Sequence, residues 1–242
     1  MDAIILGDGG LGRAIEAALR ARGDAVRVLG RPATGRHDAA ALGRADVVFE
    51  ASRGDAVAAN IEAALAAGVR RLVIGTTGWD GDRGWVEQVV RDAGAAAVVA
   101  PNLSLGAALF FRLVETAAAL YGAVDAFDPF VVEWHRRSKR DRPSGTAREL
   151  VRRIAAAHPA ATPDDLEVAV IRAGSSPGMH LVGFDAPGET VELRLTARDR
   201  SAYAAGALAA AEWLLREPRP AGLHPFDPVV NELLRPPVLA LA

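Results

Sequence analysis

A chain of 242 residues with 28 Lys plus Arg against 30 Asp plus Glu, no Cys and 50% apolar residues has the composition of an ordinary globular protein; disordered, collagen-like and disulfide-framework chains are excluded. The formal net charge of −2 steers the chain toward neither nucleic acid nor an anionic membrane, so small molecules are the expected partners. Without thiols there is no Cys nucleophile or Cys-rich zinc site, and no metal site is read from the sequence.

Met1 and Asp2 give an acidic start and residues 3–6 already read as a strand, unlike a charged leader followed by an apolar run. No apolar stretch reaches the ~18 residues of a membrane span. The reading is a soluble, cytoplasmic protein. Strands over residues 3–7, 25–29, 46–51, 71–76 and 96–101 alternate with helices over 11–22, 55–67 and 82–93. Near-continuous apolar strands separated by helices predict a doubly wound parallel sheet covered on both faces, an α/β domain. After Pro101 the texture changes. A helix over 105–121 precedes a strand over 129–134, a basic loop and a helix over 144–158 opened by Pro143 and Ser144. Strands over 166–172, 179–184 and 190–196 then follow in succession, which predicts a second, α+β domain with an open mixed sheet. A helix over 201–216 leads into a Pro-rich tail expected to lie irregularly over one domain. The domains are therefore read as 1–103, for a dinucleotide, with 214–242 packing back on it, and 104–213, for substrate and oligomerisation.

Gly7, Gly9 and Gly12 form GxGxxG at the first strand-to-helix turn. Such glycines permit a tight turn and bring backbone N–H groups close to a pyrophosphate at a helix N-terminus. Gly10 and Leu11 lie inside the same loop. A cofactor without a 2′-phosphate calls for an Asp or Glu at the end of the second strand, where the chain has Gly30 and Arg31. Arg31, helped by Arg36, can meet a 2′-phosphate, so NADPH is favoured and NADH is possible. Arg31 can equally be a solvated loop residue. Gly75, Thr76 and Thr77 follow one strand, and Ala100, Pro101, Asn102 and Leu103 another, at the edge where open α/β sheets bind ligands. Either segment can be plain turn chemistry.

The densest signal is EWHRRSKRDRPSGTA, residues 133–147. It joins His135 to a basic loop and a Ser144-Gly145-Thr146 helix start, whose free N–H groups and hydroxyls make an anion site suited to a dicarboxylate. Of the 28 basic residues, 27 are Arg and only Lys139 is Lys. An Arg-saturated chain that keeps one ammonium points to a need for a proton that can leave.

Read as ExHxxxKxDxPSGTA, this stretch resembles the signature of the dihydrodipicolinate (4-hydroxy-tetrahydrodipicolinate) reductase family, NAD(P)H-dependent enzymes of bacterial lysine (diaminopimelate) biosynthesis. The resemblance extends through the glycine loop, GTTG from Gly75, APNxSxG from Ala100, IRAG with GxH from Ile171 to His180, and RSAYAAGALAAA from Arg200. It implies a Rossmann domain and reduction of a cyclic imine dicarboxylate to tetrahydrodipicolinate. By the same resemblance His135 is the acid/base histidine, Lys139 the proton donor, and Ser144, Gly145 and Thr146 the carboxylate site. Segments 75–77 and 100–103 then face the nicotinamide, Arg31 is associated with NADPH, and the assembly is a homotetramer through the second sheet. Arg136 stands where the family usually has a second, substrate-contacting histidine, Gly30 where an acid is common, and Thr196 where a histidine is frequent. The glycine loop is one residue short. A reductase of another cyclic imino acid, or a non-catalytic dinucleotide sensor, are the other readings.

Overall fold

The computed structural model describes residues 1–33 and 37–234. Its elements run β1 (Asp2–Leu6), α1 (Gly10–Ala21), β2 (Ala25–Leu29), α2 (Ala39–Leu42), β3 (Val47–Glu50), α3 (Val57–Ala66), β4 (Arg71–Ile74), α4 (Arg83–Asp92) and β5 (Ala96–Val99). They continue with α5 (Leu105–Tyr121), β6 (Asp128–His135), α6 (Gly145–Ala157), β7 (Glu167–Arg172), β8 (Met179–Ala186), β9 (Glu189–Thr196), α7 (Ser201–Arg216), β10 (Gly222–His224) and α8 (Asp227–Leu233). Two compact units result, Met1–Leu105 with Arg200–Ala242, and Gly106–Asp199.

The first unit is built on a six-stranded sheet in the order β10-β5-β4-β3-β1-β2, every neighbouring pair parallel. Ile4, Leu6, Val48, Leu72 and Ile74 sit within one fully buried cluster, as strands covered on both faces require. In α1, Ile15 and Leu19 are buried one turn apart, so the helix lies on the sheet along that stripe. This is the doubly wound Rossmann arrangement. The chain reverses direction across the sheet between β1 and β3, and the turns following those two strands meet there: a Cβ on Gly7 would stand 2.4 Å from the Ala51 carbonyl oxygen.

Two readings of the C-terminal region need correction. The helix over 201–216, assigned above to the second domain, packs as α7 on α1, β4 and β5 of the first unit, with Ala204, Ala207, Ala211 and Leu214 buried. Its small residues allow this approach, since a Cβ on Gly206 would lie 1.7 Å from the Leu103 carbonyl oxygen. Apolar periodicity marks a buried face without naming the sheet it meets. As far as Leu234 the tail carries regular elements: β10 adds a sixth parallel strand beside β5, and α8 follows with Pro228 in its first turn. Residues 235–242 lie outside the described residues.

The second unit carries a four-stranded sheet in the order β7-β6-β8-β9, with β6 and β7 parallel and the other pairs antiparallel. Helices α5 and α6 cover one face: Phe110, Phe111, Val114, Leu150 and Ile154 pack with Val131, Val182 and Phe184. By alternation Phe130, Val132, Trp134, Ile171 and Leu181 point to the other face, where Trp134 and Ile171 are 38% and 44% exposed. Among the described residues no helix is long and apolar enough to cross a membrane.

Candidate functional site

In the first unit, the three segments singled out in the sequence converge at the carboxyl edge of the sheet. Gly75 is boxed in by Leu11 and Leu103, whose side chains would stand 2.9 and 3.2 Å from a Cβ there. Thr76 is buried and its hydroxyl donates to the Glu50 carbonyl at 3.4 Å, while Thr77 is exposed. Ala100 and Leu103 are buried; Asn102 turns the chain by accepting the Ser104 N–H at 2.9 Å, and Pro101 is exposed. The glycine loop is suited to an anion. Gly12 must lack a side chain because a Cβ would lie 2.0 Å from the Gly7 carbonyl oxygen, whereas Gly9 opens onto free space at the start of α1. That start has no side-chain cap and no acidic residue in its first turn, leaving the dipole of a 12-residue helix for a phosphate. Arg31 is exposed just past β2, and Arg36 falls outside the described residues.

The second unit assembles its site on the end of the mixed sheet that faces α6. Register places the parts: His135 pairs with Arg172 across the parallel β6–β7 edge, and Glu133 pairs with His180 across the antiparallel β6–β8 edge, all four side chains on one face. Glu133, fully buried, is the hub. One carboxylate oxygen accepts from Arg172 Nη2 at 2.6 Å, and both accept from the Ser144 N–H, at 3.0 and 3.2 Å. The other oxygen lies 3.5 Å from His135 Nδ1 and 3.6 Å from His180 Nε2. Ser144 caps α6 by accepting the Ala147 N–H and sits 3.2 Å from His180 Nε2. Gly145 is exposed on the first turn, and a Cβ there would meet nothing closer than Arg148 at 3.9 Å, so the helix start is open; Thr146 is half-buried. Lys139 is partly exposed and paired with Asp141 at 2.8 Å, while Arg136 is exposed and donates to Ser138 Oγ at 3.2 Å.

These neighbours set the charges. Burial alone would raise the Glu133 carboxyl, but hydrogen bonds from His180, Ser144 and Arg172 outweigh it and hold the group far below the usual carboxylate range. His135 is pushed down to about 4, first by burial and then by the charges of His180, Lys139 and Arg172, with Glu133 opposing. At neutral pH its ring is uncharged. Burial would likewise raise Asp141, but the Lys139 hydrogen bond and charge hold it low. The ligand atoms of Glu133, His135 and His180 lie within 4.8 Å of one another. Arg172 already supplies the opposite charge and the Ser144 N–H a further hydrogen bond, so Glu133 is the hub of a charge-paired cluster in which the guanidinium stands where a metal ion would.

Of the residues singled out in the linear motif, His135 and Ser144 meet at this hub, Gly145 and Thr146 follow Ser144 in the first turn of α6, and Lys139 lies in the preceding loop. The residues that sequence reasoning passed over as parts of the site are Glu133, Arg172 and His180. Glu133 stood in the motif as a mere strand residue, and its signal was an acid inside an otherwise apolar strand. Arg172 and His180 lay in quoted segments, with nothing local to link them to it.

A dinucleotide-type glycine loop on a parallel sheet, with an anion-accepting helix start beside a neutral histidine and a lone lysine on a mixed one, belongs to the two-domain oxidoreductases of the Rossmann class. Comparison narrows this. Residues 4–103 match the family model for the dihydrodipicolinate reductase N-terminus, and residues 106–227 that for its C-terminus. The 4-hydroxy-tetrahydrodipicolinate reductase of Archaeoglobus fulgidus is 35% identical over 199 residues, covering 76% of this chain and 75% of that protein. The enzyme of the same name from Wolinella succinogenes is 36% identical over 190 residues, covering 71% and 72%. Dipicolinate-bound dihydrodipicolinate reductase from Paenisporosarcina sp. TG-14 shares the fold, with a TM-score of 0.72 at 20% identity over 93% of this chain and 97% of that one. The chain belongs to the dihydrodipicolinate reductase family.

Proposed function

We propose that this protein reduces 4-hydroxy-tetrahydrodipicolinate, or the dihydrodipicolinate formed from it, to tetrahydrodipicolinate in lysine biosynthesis. The observation that carries the reading is the open start of α6 at Ser144, Gly145 and Thr146, built on the same buried hub as His135 and following the loop that holds Lys139. A helix N-terminus with two hydroxyls and adjacent Arg side chains holds a carboxylate, and Arg136 adds a further charge for a dicarboxylate. A bound nicotinamide dinucleotide supplies the hydride, and the glycine loop with Gly9, Gly10 and Leu11, segment 75–77 and segment 100–103 would hold it. Arg31 supports NADPH as the favoured carrier, with NADH possible.

Once hydride has entered the ring, the negative charge that develops there must take a proton. His135, pushed down to about 4, carries no spare proton at pH 7, which supports Lys139 as the acid with His135 as a polar group of the same site. The uncovered apolar face around Trp134 and Ile171 supports self-association through the second sheet as a homotetramer.

Lys139→Arg tests the assignment. The charge is kept but the guanidinium does not deprotonate, so kcat should fall by about 10²- to 10⁴-fold with near-normal dinucleotide affinity. Full activity would reduce Lys139 to a carboxylate-binding charge.

A further inference from the structure

At the end of β2 the sequence offers Gly30 where a dinucleotide fold places the acid that binds the ribose hydroxyls. In the folded chain a carboxylate arrives there from another segment. The Gly7 N–H donates to the Leu29 carbonyl at 2.8 Å, tying the glycine loop to the last residue of β2. Gly7 makes this possible with a φ of +115°, a conformation open to glycine. On the next residue, Arg13 Nε donates to the Asp8 carbonyl at 2.8 Å and fixes that peptide. The Asp8 side chain is exposed, and its Oδ2 and Oδ1 lie 3.2 and 3.7 Å from where a Cβ on Gly30 would begin. Asp8 thus fills the volume that an acidic side chain at position 30 would use, and Gly30 leaves that volume free.

Resting on the dinucleotide reading above, we propose that Asp8 is the acceptor for the adenosine ribose hydroxyls and sets the choice between the two dinucleotides against Arg31. A carboxylate accepts from two hydroxyls at once and repels a 2′-phosphate held at the same carbon. Arg31 acts oppositely, pairing with that phosphate. The two residues together make the chain accept NADH as well as NADPH, and removing either tips it toward one.

The experiment is direct titration of the full chain with NADH and NADPH by cofactor fluorescence, without substrate, repeated in competition with AMP and with adenosine 2′,5′-bisphosphate. Asp8→Ala should weaken NADH and AMP by about ten- to a hundredfold, the worth of hydrogen bonds to a charged group, while NADPH and the bisphosphate hold or tighten. Arg31→Ala should do the reverse. Asp8→Ala combined with Gly30→Asp returns the acid from β2 and should restore NADH, which separates a lost contact from a disturbed loop. An unchanged NADH-to-NADPH ratio in Asp8→Ala, or equal loss of both without recovery in the double variant, overturns the role of Asp8. Wild-type protein that binds neither dinucleotide overturns the underlying reading instead.

Discussion

Glu50, the last residue of β3, and Glu133, near the end of β6, are both essentially out of contact with solvent, at 1% and 0% exposure, and their carboxyls are displaced in opposite directions. Glu50 has only neutral company. The Ser52 hydroxyl donates to it, Asn60 Nδ2 donates at 3.0 Å, and its second oxygen has no partner among the described residues. Burial therefore prevails and pushes Glu50 up, with the hydrogen bonds of Ser52, Thr76 and Asn60 opposing. Glu133 suffers burial too, but the His180 imidazole, Ser144 and the Arg172 guanidinium at 2.6 Å reverse the sign. The lesson is that depth in the core does not decide the state of an acid; the groups that replace its water do.

The largest effect should come from removing the cation. Arg172→Leu leaves Glu133 charged and buried, and should cost about 3–5 kcal/mol in denaturant unfolding. The double variant Arg172→Leu with Glu133→Gln should recover much of that loss, and a double variant no better than the single would show that the pair is not the reason.

A smaller, pH-dependent effect follows from His135. The unfolded chain takes up its proton near the ordinary histidine value of 6.5, but the folded chain only near 4, so stability is lost as pH falls between those values, by up to about 3 kcal/mol. Glu133, held low, adds a further loss below the usual carboxylate range. Melting wild type and His135→Asn across that window checks this: the variant should show a flatter profile above pH 5, and an identical slope would refute it.

The smallest effect belongs to Glu50. With its carboxyl raised, the stability it contributes is present below the ordinary carboxylate value and is lost as pH rises through the raised one. Glu50→Gln keeps the shape without the charge, so its stability at pH 7 should stay within about 1 kcal/mol of wild type, or exceed it. A loss of the Arg172 size would mean that Glu50 is ionised and paired after all.

Much of this molecule could be read in one dimension. Alternating strands and helices, the glycines at the first turn, Pro143-Ser144 as a helix start and the single Lys139 are local signals, because each rests on backbone conformation or side-chain chemistry within a few residues. Most element boundaries follow those signals closely. Four things were decided only when the chain returned on itself. Helix α7 covers the first sheet rather than the second, and β10 closes that sheet's edge. Arg172 and His180 reach Glu133 from 39 and 47 residues away because strand register sets them on one face. Asp8 comes to lie against Gly30 through the Gly7–Leu29 hydrogen bond. An apolar period records that a face is buried, and a carboxylate records that it needs partners, but which atoms answer is fixed by pairing between distant segments, a property no window of sequence contains.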